Sequence, residues 1–116
     1  MLRKALAYGA AVFFLGCCTA PAMAKAADAA KGKTIYSSKC ILCHGAQGKG
    51  DGPAGMAFSP KPANFTSKAF WQTPNIEGTM AGSIKNGWGQ MPSFPGLTTS
   101  DIQDVIQYIE QTFKPK

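Results

Sequence analysis

The chain has 116 residues, of which 45% are hydrophobic, and sets 12 lysines and arginines against 6 acidic residues for a formal net charge of +6. That length makes one small domain. The charge forms no dense basic stripe with interleaved aromatics, which argues against a nucleic-acid partner and suits a solvated surface that weakly steers acidic protein partners.

Residues 1–24 have the pattern of an export signal. Arg3 and Lys4 supply a positive start, "ALAYGAAVFFLGCCTA" an apolar stretch, and Ala22-Met23-Ala24 a small-x-small cleavage site before Lys25. The stretch is shorter than the ~20 residues of a spanning helix, so a cleaved signal is favoured over a retained anchor. A lipid anchor at Cys17 or Cys18 fits poorly, because Phe14 stands where such sites want leucine. A periplasmic, monomeric domain of residues 25–116 follows, meeting membranes only through its partners. Loss of Arg3 and Lys4 lowers its formal charge from +6 to +4. A core this small needs a staple. Only Cys40 and Cys43 remain, and a bridge between them closes too short a loop to constrain the chain much. A larger staple is implied.

In chain order, Asp28 caps a short amphipathic helix through "DAAKGKTIYSSKC", with Gly32, Ile35, Tyr36 and Cys40 on roughly one face. "GAQGKGDGPAG", from Gly45 to Gly55, is irregular and allows close backbone approach. "SPKPANF" continues as a proline-punctuated loop. A second helix starts with Thr73 as cap and Pro74 in its first position, carries Ile76, Met80 and Ile84 along one face, and stops at Asn86-Gly87. "WGQMPSFPGL" is a loop. The last helix, in "LTTSDIQDVIQYIEQTF", is capped by Thr98 or Thr99, has Asp101 in its first turn, and draws an apolar stripe through Ile102, Val105, Ile106, Ile109 and Phe113. No segment alternates long enough to make a strand. The fold class is all-α, three to four short helices with long loops, and loops this long in a small domain wrap a ligand or line a site.

"SKCILCHGAQGKGDGP" holds the chemistry. A zinc site needs four ligands, and residues 25–116 own two cysteines and one histidine. A dithiol redox pair follows a strand in an α/β fold, and here a helix precedes it. Cysteine, two residues, cysteine, histidine is the pattern of covalent haem attachment. Cysteines at i and i+3 of a helical turn point the same way, as two neighbouring vinyl groups require, and His44 then lies under the ring. His44 fills one axial position, and the chain has no second histidine. A methionine thioether is the other common neutral ligand. Met80 sits on an apolar helix face, as a core residue does, and Met56 stands too near the motif to cross to the opposite face easily. Met91 lies in a proline-bounded loop far enough along the chain to pass around the ring.

"GKTIYSSKCILCHGAQGKGDGP", "KPANF" and "GQMPSFPGLTTSDIQDVIQYI" together resemble a class I cytochrome c of the small bacterial single-haem kind, over nearly all of residues 25–116. The resemblance implies the cytochrome c fold around one covalent haem c, attached at Cys40 and Cys43 with His44 and Met91 as axial ligands. It also implies a crossing of the first and last helices at Gly32, Tyr36 and Tyr108, and a carbonyl at Pro53 that accepts from the far nitrogen of His44. Phe65 and Phe94 are expected in the haem-pocket wall, Trp71 and Trp88 beside the haem or a propionate or else as plain core aromatics, and Asn64 as a loop residue. The function implied is a one-electron carrier, not an enzyme, docking transiently on redox partner proteins. Its rivals are a haem enzyme acting on peroxide or a small gas, and a subunit of a larger oxidoreductase.

Overall fold

The computed structural model describes residues 9–13, 15–21 and 25–116. Residues 9–13 and 15–21 form no helix, with Val12, Phe13 and Leu15 exposed. Arg3, Lys4 and the Ala22-Met23-Ala24 site lie outside the described residues. From Ala29 onward the structure is helical: α1 (Ala29–Ile35), a π-turn (Tyr36–Cys40) and α2 (Ile41–His44) run into one another, followed by α3 (Lys68–Trp71), α4 (Ile76–Asn86) and α5 (Thr99–Phe113). Among the described residues there is no strand, only an isolated bridge between Trp88 and Met91. The expected all-α class is what the chain adopts.

α1 begins where Asp28 caps it, its Oδ1 accepting from the amides of Ala30 (3.0 Å) and Lys31 (3.1 Å). The π-turn interrupts the expected single face from Gly32 to Cys40, although Cys40 still packs against the core that holds Ile35 and Tyr36. Its wider winding inserts a residue and rotates everything downstream by about 100° relative to α1. Gly32, Ile35 and Tyr36 therefore keep the buried face, while Cys40, Cys43 and His44 turn toward a cleft. At Gly45, with φ of 85°, the helix ends.

α5 is the best-specified element. Thr98 and Asp101 form a reciprocal capping box, the Asp101 amide donating to Thr98 Oγ1 (3.1 Å) and the Thr98 amide to Asp101 Oδ2 (2.9 Å). The whole expected stripe, Ile102, Val105, Ile106, Ile109 and Phe113, is buried. α1 crosses α5 closely because position 32 has no side chain: a Cβ there would run into the Asp104 carbonyl and sit 2.9 Å from Tyr108 Cβ. Beside this contact the Tyr36 ring packs at 5.5 Å from Tyr108 and 5.4 Å from Phe113, and its hydroxyl donates to the Gly45 carbonyl at 2.6 Å. Asp104 is buried in the same crossing and accepts the Asp28 amide at 2.7 Å.

Two expectations about the middle of the chain need correction. α4 starts at Ile76, with Asn75 rather than Thr73 before it, since Asn75 is left-handed (φ 51°) and Pro74 belongs to the turn ahead of the helix. The Thr73 amide is engaged by the Phe70 carbonyl (3.2 Å), which closes α3 instead. α3 itself, four residues long, shows no periodicity to find.

Candidate functional site

An apolar cleft of about 290 Å³ is lined by Cys40, Cys43 and His44 from the π-turn and α2, Phe65 from the following loop, Met80 and Ile84 from α4, and Trp88, Met91 and Phe94 from the loop before α5. Of the residues expected from the sequence, Cys40, Cys43, His44, Phe65, Trp88, Met91 and Phe94 are thus brought together. Pro53, Met56 and Trp71 are not among the lining.

Both thiols are free and half-buried. Burial pushes the Cys40 thiol up to about 11, with Lys39 opposing and Cys43 adding to the rise. A thiol held protonated at neutral pH is the opposite of an activated redox cysteine, which speaks against the dithiol reading. Among the described residues no cluster of three or more histidine, cysteine or acidic groups is placed to hold a metal ion by itself, which speaks against zinc.

The orphan carbonyls at the end of α2 are satisfied by the glycine-rich loop. Gly50, Gly52 and Ala54 donate to the carbonyls of His44 (2.8 Å), Cys43 (3.0 Å) and Leu42 (3.0 Å). The close backbone approach expected of these glycines is made to the motif itself, since a Cβ at Gly52 would meet the Leu42 carbonyl. This wrapping leaves Pro53 exposed and carries the chain past it.

His44 Nδ1 lies 3.2 Å from the Ala63 carbonyl. That acceptor requires the proton on Nδ1 and leaves the Nε2 lone pair free for a metal. The expectation that Pro53 supplies this carbonyl is therefore corrected to Ala63. The reason lies in the return path of the loop: the Phe65 amide donates to the Gly48 carbonyl at 2.7 Å, bringing residues 63–65 back against the imidazole. Phe65, buried, stacks on the His44 ring at 4.7 Å and 19°. Burial lowers the imidazole below its ordinary value, and the Ala63 carbonyl opposes that shift in part. "KPANF" was visible in the sequence, but nothing in it marks which carbonyl turns inward.

Met91 is half-buried and held by two reciprocal backbone bonds, the Trp88 amide to the Met91 carbonyl (3.1 Å) and the Met91 amide to the Trp88 carbonyl (2.9 Å). Met80 borders the cleft too, but is packed into the core within α4. Met56 is 54% exposed. Trp88, at 66% exposed, is a rim residue and not a core aromatic. Trp71 is half-buried, and its indole donates to the Phe65 carbonyl at 2.7 Å, so it is committed within the protein rather than to a propionate. Asn64 is a loop residue, its Oδ1 accepting from the amide and hydroxyl of Thr66.

A family model described as cytochrome c matches residues 29–113. The chain belongs to the cytochrome c family. It is 33% identical over 84 residues to a cytochrome c6 of Cyanidioschyzon merolae, a match covering 72% of this chain and 74% of that one. It is 35% identical over 92 residues to a cytochrome c-554(547) of Halothiobacillus neapolitanus, covering 72% and 96%. Among solved structures, a chain of a reducing HAO-like protein complex of Kuenenia stuttgartiensis superposes with a TM-score of 0.61 at 27% identity, over 72% of this chain and 41% of that one. This cytochrome c thus carries covalently bound haem c and serves electron transport. The cleft fits that group: free thiols and a ring nitrogen with an open lone pair face a predominantly apolar cavity. No helix among the described residues is long and apolar enough to cross a membrane.

Proposed function

We propose that this cytochrome c is an exported, monomeric one-electron carrier whose haem c is joined through Cys40 and Cys43 and whose iron is held by His44 and Met91. One observation carries the reading: these four side chains, drawn from two stretches of sequence 47 residues apart, line the same apolar cleft. When bound, haem supplies an iron that cycles between ferrous and ferric, and a sulfur ligand in an apolar wall favours the ferrous state. The protein's own residues do the rest. Ala63 orients the imidazole, the Trp88–Met91 bridge sets the thioether, and Phe65, Ile84 and Phe94 exclude water.

A carrier is favoured over an enzyme acting on peroxide because the described lining of the cleft offers neither a carboxylate nor a second histidine to act as a distal acid or base. Among its described lining residues the titratable side chains are Lys39, Lys61, Cys40, Cys43 and His44, with no carboxylate. The same absence of negative charge, with Lys39 and Lys61 present, suits transient docking of acidic redox partners there. Export to the periplasm is supported by the signal-like residues 1–24, whose described portion stands outside the packed domain.

Replacing Met91 by alanine is expected to leave haem attached while lowering the reduction potential on the order of 0.2 V, within the about 0.8 V that axial ligands span. An unchanged redox titration would remove Met91 from the iron. Carbon monoxide tests the carrier against the enzyme: the reduced wild-type protein is expected to be inert to it at neutral pH, and rapid binding would favour an open-site enzyme.

A further inference from the structure

On the reading of His44 as an iron ligand, we propose that Trp71 is a positioning residue for the His44 imidazole, acting at one remove through the Ala63–Phe65 segment. Two carbonyls flank Asn64. That of Ala63 accepts from His44 Nδ1 at 3.2 Å, and that of Phe65 accepts from Trp71 Nε1 at 2.7 Å. The Phe65 amide is tied to Gly48, and the Phe65 ring stacks on the imidazole. Both contacts made to the histidine ring therefore come from a three-residue segment whose far end the indole holds.

Trp71 is not among the residues lining the cleft, and its single N–H is spent on the Phe65 carbonyl. It is fixed instead from behind. Its ring meets Phe70 edge-on at 5.2 Å, Phe70 meets Phe65 at 5.3 Å, and the Lys114 ammonium sits 5.2 Å from the indole centroid while paired with Glu110 at 2.7 Å. A cation over the ring stabilises it in that place. A donated Nδ1 proton makes a ligating imidazole more basic and fixes its orientation. At 3.2 Å the bond to Ala63 is at the long end of the useful range, so a small drift of the segment weakens it. A less basic imidazole stabilises ferric iron less, and the potential rises.

The haem-loaded protein provides the test, through its reduction potential and through proton NMR of the ferrous form. In the wild type, ring-current-shifted His44 signals with a slowly exchanging Nδ1 proton are expected; their absence would remove His44 from the iron before any variant is made. Given those signals, Trp71→Phe is expected to raise the potential and speed exchange of the Nδ1 proton. Replacing Trp71 with 3-benzothienylalanine, which keeps the ring and removes only the N–H, is expected to do the same and guards against loss of folding in the phenylalanine variant. A fall in melting temperature with potential and proton exchange unmoved would make Trp71 a packing residue only and overturn the proposal.

Discussion

The α1–α5 crossing and the cleft are built on opposite principles. At the crossing protein closes on protein: Gly32 lies against the Asp104 carbonyl, Tyr36 is wedged between Tyr108 and Phe113, and the Asp28 amide finds a buried carboxylate, whose Oδ2 alone is left without a hydrogen bond among the described residues. Around the cleft, apolar side chains converge without filling the space, and a tryptophan at the rim is 66% exposed. The first region is a finished interface; the second is completed by a cofactor. The π-turn between them lets one continuous helix serve both, burying Tyr36 in the crossing and turning Cys40 and Cys43 to the cavity.

The largest expected effect comes from denying the cleft its cofactor. Cys40→Ala with Cys43→Ala should abolish covalent haem, and a domain of this size, left with an unfilled cavity, should lose cooperative unfolding as followed by circular dichroism. Persistence of a native-like melt in the colourless double variant would show that the crossing suffices for folding and that the two regions are less dependent than their construction suggests.

A second substitution attacks the crossing while leaving the attachment motif alone. Gly32→Ala places a methyl against the Asp104 backbone, which no rotamer relieves, and α1 must move away from α5. A cost of roughly 3 kcal/mol is expected for such overpacking, or on the order of 10 °C or more in melting temperature for a domain of this length. The absorption spectrum of the surviving folded fraction should stay that of the wild type, since the clash lies away from the cleft lining. A changed spectrum without lost stability would reverse the assignment of roles.

The crossing was far more legible in the sequence than the cleft. α5 announces itself by a stripe at helical spacing and by Thr98 with Asp101 at its start, all of which are local signals. The attachment motif is equally local, three chemically distinctive residues within five positions. What escaped depends on where distant segments return. The π-turn has no composition cue and is revealed only when Tyr36 and Cys40 are seen to serve different surfaces. Pro74 suggested a helix start, but the left-handed Asn75 moved it to Ile76. Pro53 was the wrong source of the histidine's acceptor because the loop's path is set by the Phe65 amide reaching Gly48, a contact seventeen residues long that no local pattern encodes. Trp71 packs against the core as one of its two expected roles has it, but its donation to the Phe65 carbonyl is a long-path contact that no local pattern marks.

The smallest expected effect sharpens the crossing's account at its edge, where charge rather than packing acts. Lys31 Nζ approaches Asp101 Oδ1 at 2.6 Å, with Asp104 Oδ2 farther away at 3.9 Å. The Lys31 ammonium, helped by the Thr98 amide and hydroxyl, holds the Asp101 carboxyl down to about 2 from an ordinary 3.8. A carboxyl depressed in the folded state contributes stability that is fully present above its unfolded value and is lost as pH falls through the folded one. The contribution should therefore be constant from neutral pH down to about 4 and decline between there and about 2. Asp101→Asn keeps an oxygen for the Thr98 amide but removes the charge, so its stability should be slightly below wild type at pH 7 and its acid decline shallower, as read by denaturant titrations across that window. Because Lys31 is half exposed, added salt should shrink the difference between the two proteins at pH 7. Equal acid declines in both would mean that Asp101 acts on α5 through its hydrogen bonds alone, leaving the crossing held by shape and by the buried contact between Asp104 and the Asp28 amide.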